Sequence, residues 1–361
     1  MTAALLLIIF FVLIVIGAPV AVALGGSVIV TSLVMNPIPP AVIGQKVFAN
    51  LDHFTLMAVP FFFFAAALME TGGLVKRLVS LANSLVGHWR GGLGVTSVVS
   101  CVFFAAISGS SPATVAAIGQ IMFPALVKEG YSSRYAVGAI ATAGSIGILI
   151  PPSIPMIIYG FVTETSVARL FLAGVIPGLL YGLGMVIMAR LMAHRTNVRI
   201  RERLPWSSRW RLILSAAPAL SLPVIIIVGI YGFPEFEFLG IHYDGGAIFT
   251  PTESAIIATC LALIIGLFVY REVNLKQAVS TIVRTAPNAG MIFFITTNAL
   301  LFAFFITKLG IPAAVTDYLI SLDMERWQFL LLVNLMLTIV GFFLEGVPTI
   351  LMFVPVLFPA A

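Results

Sequence analysis

Ile107-Ser108-Gly109-Ser110-Ser111-Pro112-Ala113-Thr114 and Gly144-Ser145-Ile146-Gly147-Ile148-Leu149-Ile150-Pro151-Pro152-Ser153 decide how this chain folds. Both stretches are helix-breaking and rich in hydroxyls, and both interrupt segments apolar enough to lie in a bilayer. Backbone outside a helix cannot face lipid, because its N–H and C=O groups would stay unpaired; it survives at membrane depth where it lines a site or cavity. Two such breaks point to a site at membrane depth.

Composition sets the class. The chain is 60% hydrophobic and 9% charged, with mean hydropathy +1.13, whereas a soluble domain carries about 25% charged residues. Cys101 and Cys260 sit in apolar runs and read as small core residues, not a disulfide or metal motif. The net charge of +5 reads as basic loops on one side of a membrane and not as a nucleic-acid surface. Residues 3–35 are too long an apolar run for a signal peptide and read as one membrane segment kinked at Gly17-Ala18-Pro19.

A spanning helix needs about 20 apolar residues. Runs of that kind cover roughly 3–35, 54–70, 134–162 (broken), 168–193, 211–232, 254–270 and 288–307. Two longer runs, 92–127 and 328–360, are split at Ser108–Pro112 and at Glu345–Pro348, and each reads as a helical hairpin entering and leaving on one side. The expected fold is therefore an all-α polytopic membrane protein. Its organisation is an N-terminal scaffold segment (1–53) and a first repeat (54–193) with hairpin one and the broken helix. A basic loop with central scaffold helices (194–287) and a second repeat (288–361) with hairpin two follow.

The charges test this order. Arg190, Arg195, Arg199, Arg201, Arg203, Arg209 and Arg211 form one basic loop, which the positive-inside rule places in the cytoplasm. Arg271, Lys276 and Arg284 are two crossings later, and Lys128 and Arg134 two crossings earlier. Lys76, Arg77 and Arg90 join them if 92–127 is a hairpin. The loop at 233–253 and the region with Asp317, Asp323 and Glu325 then lie outside. Thr250-Pro251-Thr252-Glu253 reads as a capping box opening the next helix.

A weak repeat runs through the chain. Thr71 and Thr307 are 236 apart, Trp89 and Trp327 are 238 apart, and Pro112 and Pro348 are 236 apart. An odd number of crossings between the hairpins makes the copies inverted, the architecture of many secondary transporters. A partner of Gly144–Ser153 is expected about 236 residues further on, past Ala361, so the sequence is read as lacking its last broken helix.

The breaks carry the chemistry. Ser111 before Pro112 suits an N-cap and first turn, which would aim free N–H groups and a positive dipole end at an anion. Ser110, Ser111 and Thr114 add hydroxyl donors. The carbonyls ending the first arm near Ser108, with the serine hydroxyls, are hard oxygen ligands suited to a small cation such as Na⁺. In the second break Gly144 and Gly147 allow close approach, and Pro151 and Pro152 prevent a continuous helix, leaving carbonyls around Ser145–Ile150 to face Ser108–Ser111. Glu345, an acid in an apolar run, is a candidate to bind a cation or carry a proton. Asn298 and Asn334 read as inter-helix hydrogen bonders. No nucleophile–base pair, phosphate loop or nucleotide motif is evident, and His53, His88, His194 and His242 fall in loops or helix ends, so no enzyme is expected.

The two broken stretches, the continuation Ile154-Pro155-Met156-Ile157-Ile158-Tyr159-Gly160, and Phe249-Thr250-Pro251-Thr252-Glu253, Ala173-Gly174-Val175-Ile176-Pro177-Gly178 and Ala58-Val59-Pro60-Phe61-Phe62 closely resemble the large membrane subunit of tripartite ATP-independent periplasmic (TRAP) transporters. The resemblance runs over nearly the whole chain. It implies the transport domain of a Na⁺-coupled importer of organic acids, of C4-dicarboxylate or sialic acid type, in the bacterial cytoplasmic membrane. The implied partners are a small four-helix membrane subunit and a periplasmic binding protein. An elevator fold of the ion transporter superfamily is also implied. By motif match a first sodium site would use Ser108, Gly109, Ser110, Ser111, Gly144, Gly147 and Pro151, and a second Gly346, Pro348 and Thr349. A substrate carboxylate would lie between the hairpin tips, held by Ser111, Thr114, Ser153 and Thr349, with Glu345 as a further substrate-binding candidate. A stand-alone Na⁺/dicarboxylate symporter is the alternative.

Overall fold

The computed structural model describes all residues except 36–37, 194–201, 233–235, 239–240, 244–245, 322–323, 343 and 359–361. Arg195, Arg199, Arg201, His194, Asp323 and Phe343 therefore lie outside the described residues, as do parts of the 233–253 loop.

The chain opens with α1 (Thr2–Val15), α2 (Val20–Met35) and α3 (Pro40–Leu51), then α4 (Ala58–Thr71) and α5 (Leu74–Val86). Next come α6 (Gly92–Ser108), α7 (Ser111–Lys128), α8 (Ser133–Gly144) and α9 (Ile154–Thr163). The long helices α10 (Val167–Ala193) and α11 (Trp206–Tyr231) precede α12 (Pro251–Ile264) and α13 (Leu275–Lys308). The last three are α14 (Ile311–Ser321), α15 (Arg326–Gly341) and α16 (Gly346–Leu357). Among the described residues five stretches, Phe54–Thr71, Val167–Ala193, Trp206–Tyr231, Pro251–Val269 and Leu275–Lys308, are long and apolar enough to cross a membrane. Helices dominate, and among the described residues the departure from all-α is one short hairpin in the 233–253 loop, β1 (Phe236–Phe238) and β2 (Ile241–Tyr243), paired antiparallel with Phe236 opposite Tyr243.

The 3–35 run is not one kinked segment. It folds as two helices packed on each other: Gly17 takes φ +83, its N–H and that of Ala18 close on Ile14 O and Leu13 O, and Leu13 packs against Gly26 of α2. A left-handed glycine before proline allows reversal as readily as a kink, and the packing of two apolar faces selects reversal.

The chain divides into two compact units. One comprises Met1–Leu56, Ile158–Thr165 and Asn288–Ala361; the other comprises Met57–Ile157 and Ser166–Pro287. In the first, Phe10 of α1 meets Phe302 of α13 at 5.4 Å between ring centres. Asn298 of α13 stands against bare Gly25 of α2. The amides of Asn298 and Asn334 donate to Phe294 O and Leu330 O of their own helices, so the expected inter-helix bonds are not the ones formed.

The second unit is built around α6, almost every residue of which is buried. A helix apolar all round belongs inside a bundle. Small residues on α4 and α12 (Ala58, Ala65, Ala66; Ala255, Ala258, Ala262) are buried, and Thr259 Oγ1 donates to Phe61 O at 2.7 Å. Without a hydrophobic drive in lipid, close backbone approach and such bonds hold helices together. The amphipathic α5 buries Leu74, Leu78 and Leu81 and leaves Lys76 and Ser80 outward. Of the cysteines, Cys101 is in the core, but Cys260 is exposed on α12, against expectation. Thr250 caps α12 with the capping box the sequence announces.

Candidate functional site

Hairpin one is formed by α6 and α7, reversed at Gly109-Ser110. Gly109 caps α6 in the left-handed region (φ 60, ψ 13), with its N–H on Ala105 O. Ser110, not Ser111, is the N-cap of α7: it is extended, its Oγ accepts from Ala113 N–H at 3.5 Å, and its carbonyl accepts from Thr114 N–H at 3.0 Å. Either serine can chemically cap; the turn made by Gly109 puts Ser110 in the extended position. Pro112 has no N–H, so two of the first-turn amides expected to face an anion are already bonded or missing.

The second break follows α8. A 3₁₀ turn, Ser145–Ile148, continues it, and Leu149–Ser153 is non-helical before α9. Ser153 Oγ accepts from Met156 N–H at 3.4 Å and donates to Ile148 O at 2.8 Å, so Ser153 both caps α9 and ties it to the turn.

The two breaks dock on each other. Ile154 N–H donates to Gly109 O at 3.1 Å. A Cβ on Gly109 would stand 2.5 Å from Pro152 O, and one on Gly147 would stand 2.9 Å from Ser110 O. Gly144 lies against Val115 of α7. Ser111 Oγ donates to Ser145 O at 3.4 Å. Ser108 Oγ is 2.9 Å from Thr114 Oγ1, which donates to Ser110 O at 2.8 Å. Ser108, Thr114 and Ser153 are wholly buried, and Gly109, Ser110, Gly144, Gly147 and Pro151 are buried too.

The structure thus brings together Ser108, Gly109, Ser110, Ser111, Thr114, Gly144, Gly147, Pro151 and Ser153 in one unit. The chemistry is neutral oxygen at short range: hydroxyls of Ser108 and Thr114 and carbonyls of Ser110 and Ser145. Among the described residues no three carboxylate, histidine or cysteine side chains gather, and the polar atoms bonded at the docked breaks are neutral hydroxyls, amides and carbonyls.

Glu345, Gly346, Pro348 and Thr349 lie in the other unit. Glu345 is the exposed N-cap of α16; Thr349 Oγ1 donates back to Glu345 O at 2.8 Å. Thr349 also lines an apolar cleft of about 290 Å³ between α15, α16 and Tyr159, whose ring is 6.4 Å from that of Phe358.

Sequence reasoning passed over one support of the site. Gly174, Gly178 and Gly182 form a stripe on α10, and added Cβ atoms there would meet Leu149 O at 2.5 Å, Ile150 Cγ1 at 2.9 Å and Ile146 Cδ1 at 3.1 Å. Tyr181 beside the stripe donates to Thr142 O at 2.9 Å and lies 2.8 Å from Ser145 Oγ. Small residues every fourth position were the available signal.

The family model "Tripartite ATP-independent periplasmic transporter, DctM component" matches residues 7–361. The C4-dicarboxylate TRAP transporter large permease protein of Pseudomonas aeruginosa is 41% identical over 94% of this chain and 76% of its own length. The sialic acid TRAP transporter large permease protein of Vibrio cholerae is 31% identical over 88% of this chain and 71% of its own. The isethionate TRAP transporter permease protein of Oleidesulfovibrio alaskensis is 34% identical over 97% of this chain and 53% of its own. A continuous match of this length, on a helical chain with five candidate spans among its described residues, makes the chain a member of the DctM family of TRAP transporter large permeases, a transporter and not an enzyme.

Proposed function

We propose that this chain is the transport subunit of a Na⁺-coupled importer of organic acids in the bacterial cytoplasmic membrane. The observation that carries the proposal is the docking of hairpin one on the broken helix through Gly109 O and Ile154 N–H, which sets the half-buried carbonyl of Ser145, bonded by Ser111 Oγ, beside the buried oxygens of Ser108, Ser110 and Thr114. Neutral oxygens at helix ends suit a monovalent hard cation, since the carbonyl end of α6 carries negative partial charge and needs no carboxylate. Pro151 holds the break open, and Gly144 and Gly147 allow the approach.

C4-dicarboxylate, sialic acid and isethionate, the names the relatives carry, are all organic anions. In this reading Ser111 and Ser153 on hairpin one and its broken helix, with Thr114 behind them, meet the substrate carboxylate. Gly346, Pro348 and Thr349 contribute from hairpin two to a second sodium site, and Glu345 stands at its mouth. Sodium offsets the anion's charge and stabilises the tips, and the loaded part slides across the membrane as an elevator. A periplasmic binding protein delivers the substrate, and a small four-helix membrane subunit completes the permease.

Reconstitution tests this. The full-length protein with its small subunit, in liposomes, should take up labelled succinate or sialic acid only with an inward Na⁺ gradient and the binding protein. Uptake without the binding protein makes it a stand-alone symporter, and uptake without a gradient removes the sodium coupling.

A further inference from the structure

The turn between α5 and α6, the end of α10 and the start of α11 come together in one unit, at the end of α6 opposite the first break. Arg209 of α11 is 5% exposed and its Nε has no hydrogen-bond partner. Its terminal nitrogen faces His88 Nδ1 at 3.5 Å. No carboxylate stands within 4.0 Å of it among the described residues; the ion pair they hold joins Arg77 and Glu272. Arg190 lies over the Trp89 ring at 5.0 Å, and Arg203 is exposed two residues before Pro205, the N-cap of α11.

A buried guanidinium with an idle donor and no counter-anion is expensive. The positive-inside rule explains basic residues in this loop, but such residues are normally solvated, and Arg209 is not. The first turn of α11 adds to the field: its N-cap is Pro205 with no side-chain bond, no acid sits in that turn, and free amides at a helix start attract anions. Every feature of the notch asks for negative charge.

Its level and its walls say which anion. Trp206 and Trp210 stack on each other and are 69% and 52% exposed, as in the aromatic belt at a membrane–water boundary. Leu191 and Met192 of α10 and Leu214 of α11 present exposed apolar side chains beside the basic cluster, where acyl chains would run.

We propose that this notch binds the phosphate headgroup of an anionic phospholipid in the cytoplasmic leaflet, with Arg209 as the buried anchor and Arg190 and Arg203 as the rim. An arginine near an anionic leaflet gains about 1 kcal/mol, roughly fivefold in affinity.

The test is lipid retention by the full-length protein, followed by native mass spectrometry, with phosphatidylglycerol and phosphatidylcholine offered together. The wild type should retain phosphatidylglycerol preferentially. Arg190→Gln with Arg203→Gln, both exposed positions, should cut that preference roughly fivefold per arginine. Arg209→Gln should abolish it; if that variant does not fold, the rim variant decides alone. Equal retention of the two lipids by the wild type, or an unchanged preference in the rim variant, overturns the proposal. So does displacement of phosphatidylglycerol by inorganic phosphate, which would make the notch a site for a soluble anion.

Discussion

Ile154 N–H donates to the carbonyl of Gly109 across 3.1 Å, joining two breaks that lie 45 residues apart in the chain. The bond needs Gly109 in the left-handed region and within touching distance of Pro152. Both demands forbid a side chain. Gly109→Ala should cost about 3 kcal/mol, from left-handed strain and overlap with Pro152 O. A lowered thermal midpoint in detergent, together with lost uptake, is the expected result; a midpoint equal to wild type would mean the tip is not docked this way.

Thr114 links Ser108 Oγ to Ser110 O. Thr114→Val keeps the shape and removes the oxygen. The sodium concentration for half-maximal uptake should rise about tenfold, the loss of one ligand to a charged partner, and Thr114→Ser should restore it. A Val variant with unaltered sodium dependence would take Thr114 out of the ion site.

Two glycines of the same stretch should behave in opposite ways. A methyl on Gly147 would press on Ser110 O at 2.9 Å and Thr114 Oγ1 at 3.0 Å, whereas one on Gly138 of α8 meets nothing within 4 Å. Gly147→Ala should therefore lose transport. Gly138→Ala should keep it and stabilise α8 by about 0.5–1 kcal/mol, because alanine loses less entropy in a helix. Uptake and thermal midpoints of the pair separate close approach at the site from a general glycine effect.

Both breaks could be read beforehand because their signals are local. Proline, glycine and serine announce a broken helix wherever they interrupt an apolar run, and both breaks fall where that chemistry puts them. What escaped needed tertiary information. Ser110 and Ser111 are equal as caps until the Gly109 turn fixes the register. Gly17-Ala18-Pro19 permits a kink or a reversal, and the contact of Leu13 with Gly26 chooses reversal. The amphipathic α5 hides from any search for long apolar runs, since Lys76, Arg77 and Ser80 interrupt its buried face. The stripe Gly174, Gly178 and Gly182 is visible as spacing, but its partner, Ile146–Ile150, is not.

Arg77 and Glu272 form an ion pair at 2.6 Å with side chains 24% and 35% exposed. Arg77 also donates to Gly73 O at 2.9 Å and lies 3.8 Å over the Tyr270 ring. The charge pair is the smaller part of this. Glu272→Gln should cost less than about 1 kcal/mol, as partly screened pairs do, while Arg77→Ala should cost about 2 kcal/mol through lost stacking and hydrogen bonding. Denaturation midpoints in detergent that rank the two the other way would make the charge dominant.

His88 lies in the turn between α5 and α6. Burial first, then the Arg209 and Arg203 charges, hold it below the usual histidine value. The charged groups placed around it are cations: Arg209 and Arg203 from the α11 side, and Arg190, which stacks on neighbouring Trp89. The unfolded chain therefore binds the His88 proton more readily than the folded one. Its contribution to stability is complete above about pH 6.5 and is lost as pH falls through the lower folded value. The thermal midpoint of the wild type should fall more steeply on acidification than that of His88→Gln, and the two curves should converge in slope above neutrality. Parallel curves across the acid range would show that His88 does not sense the arginines beside it.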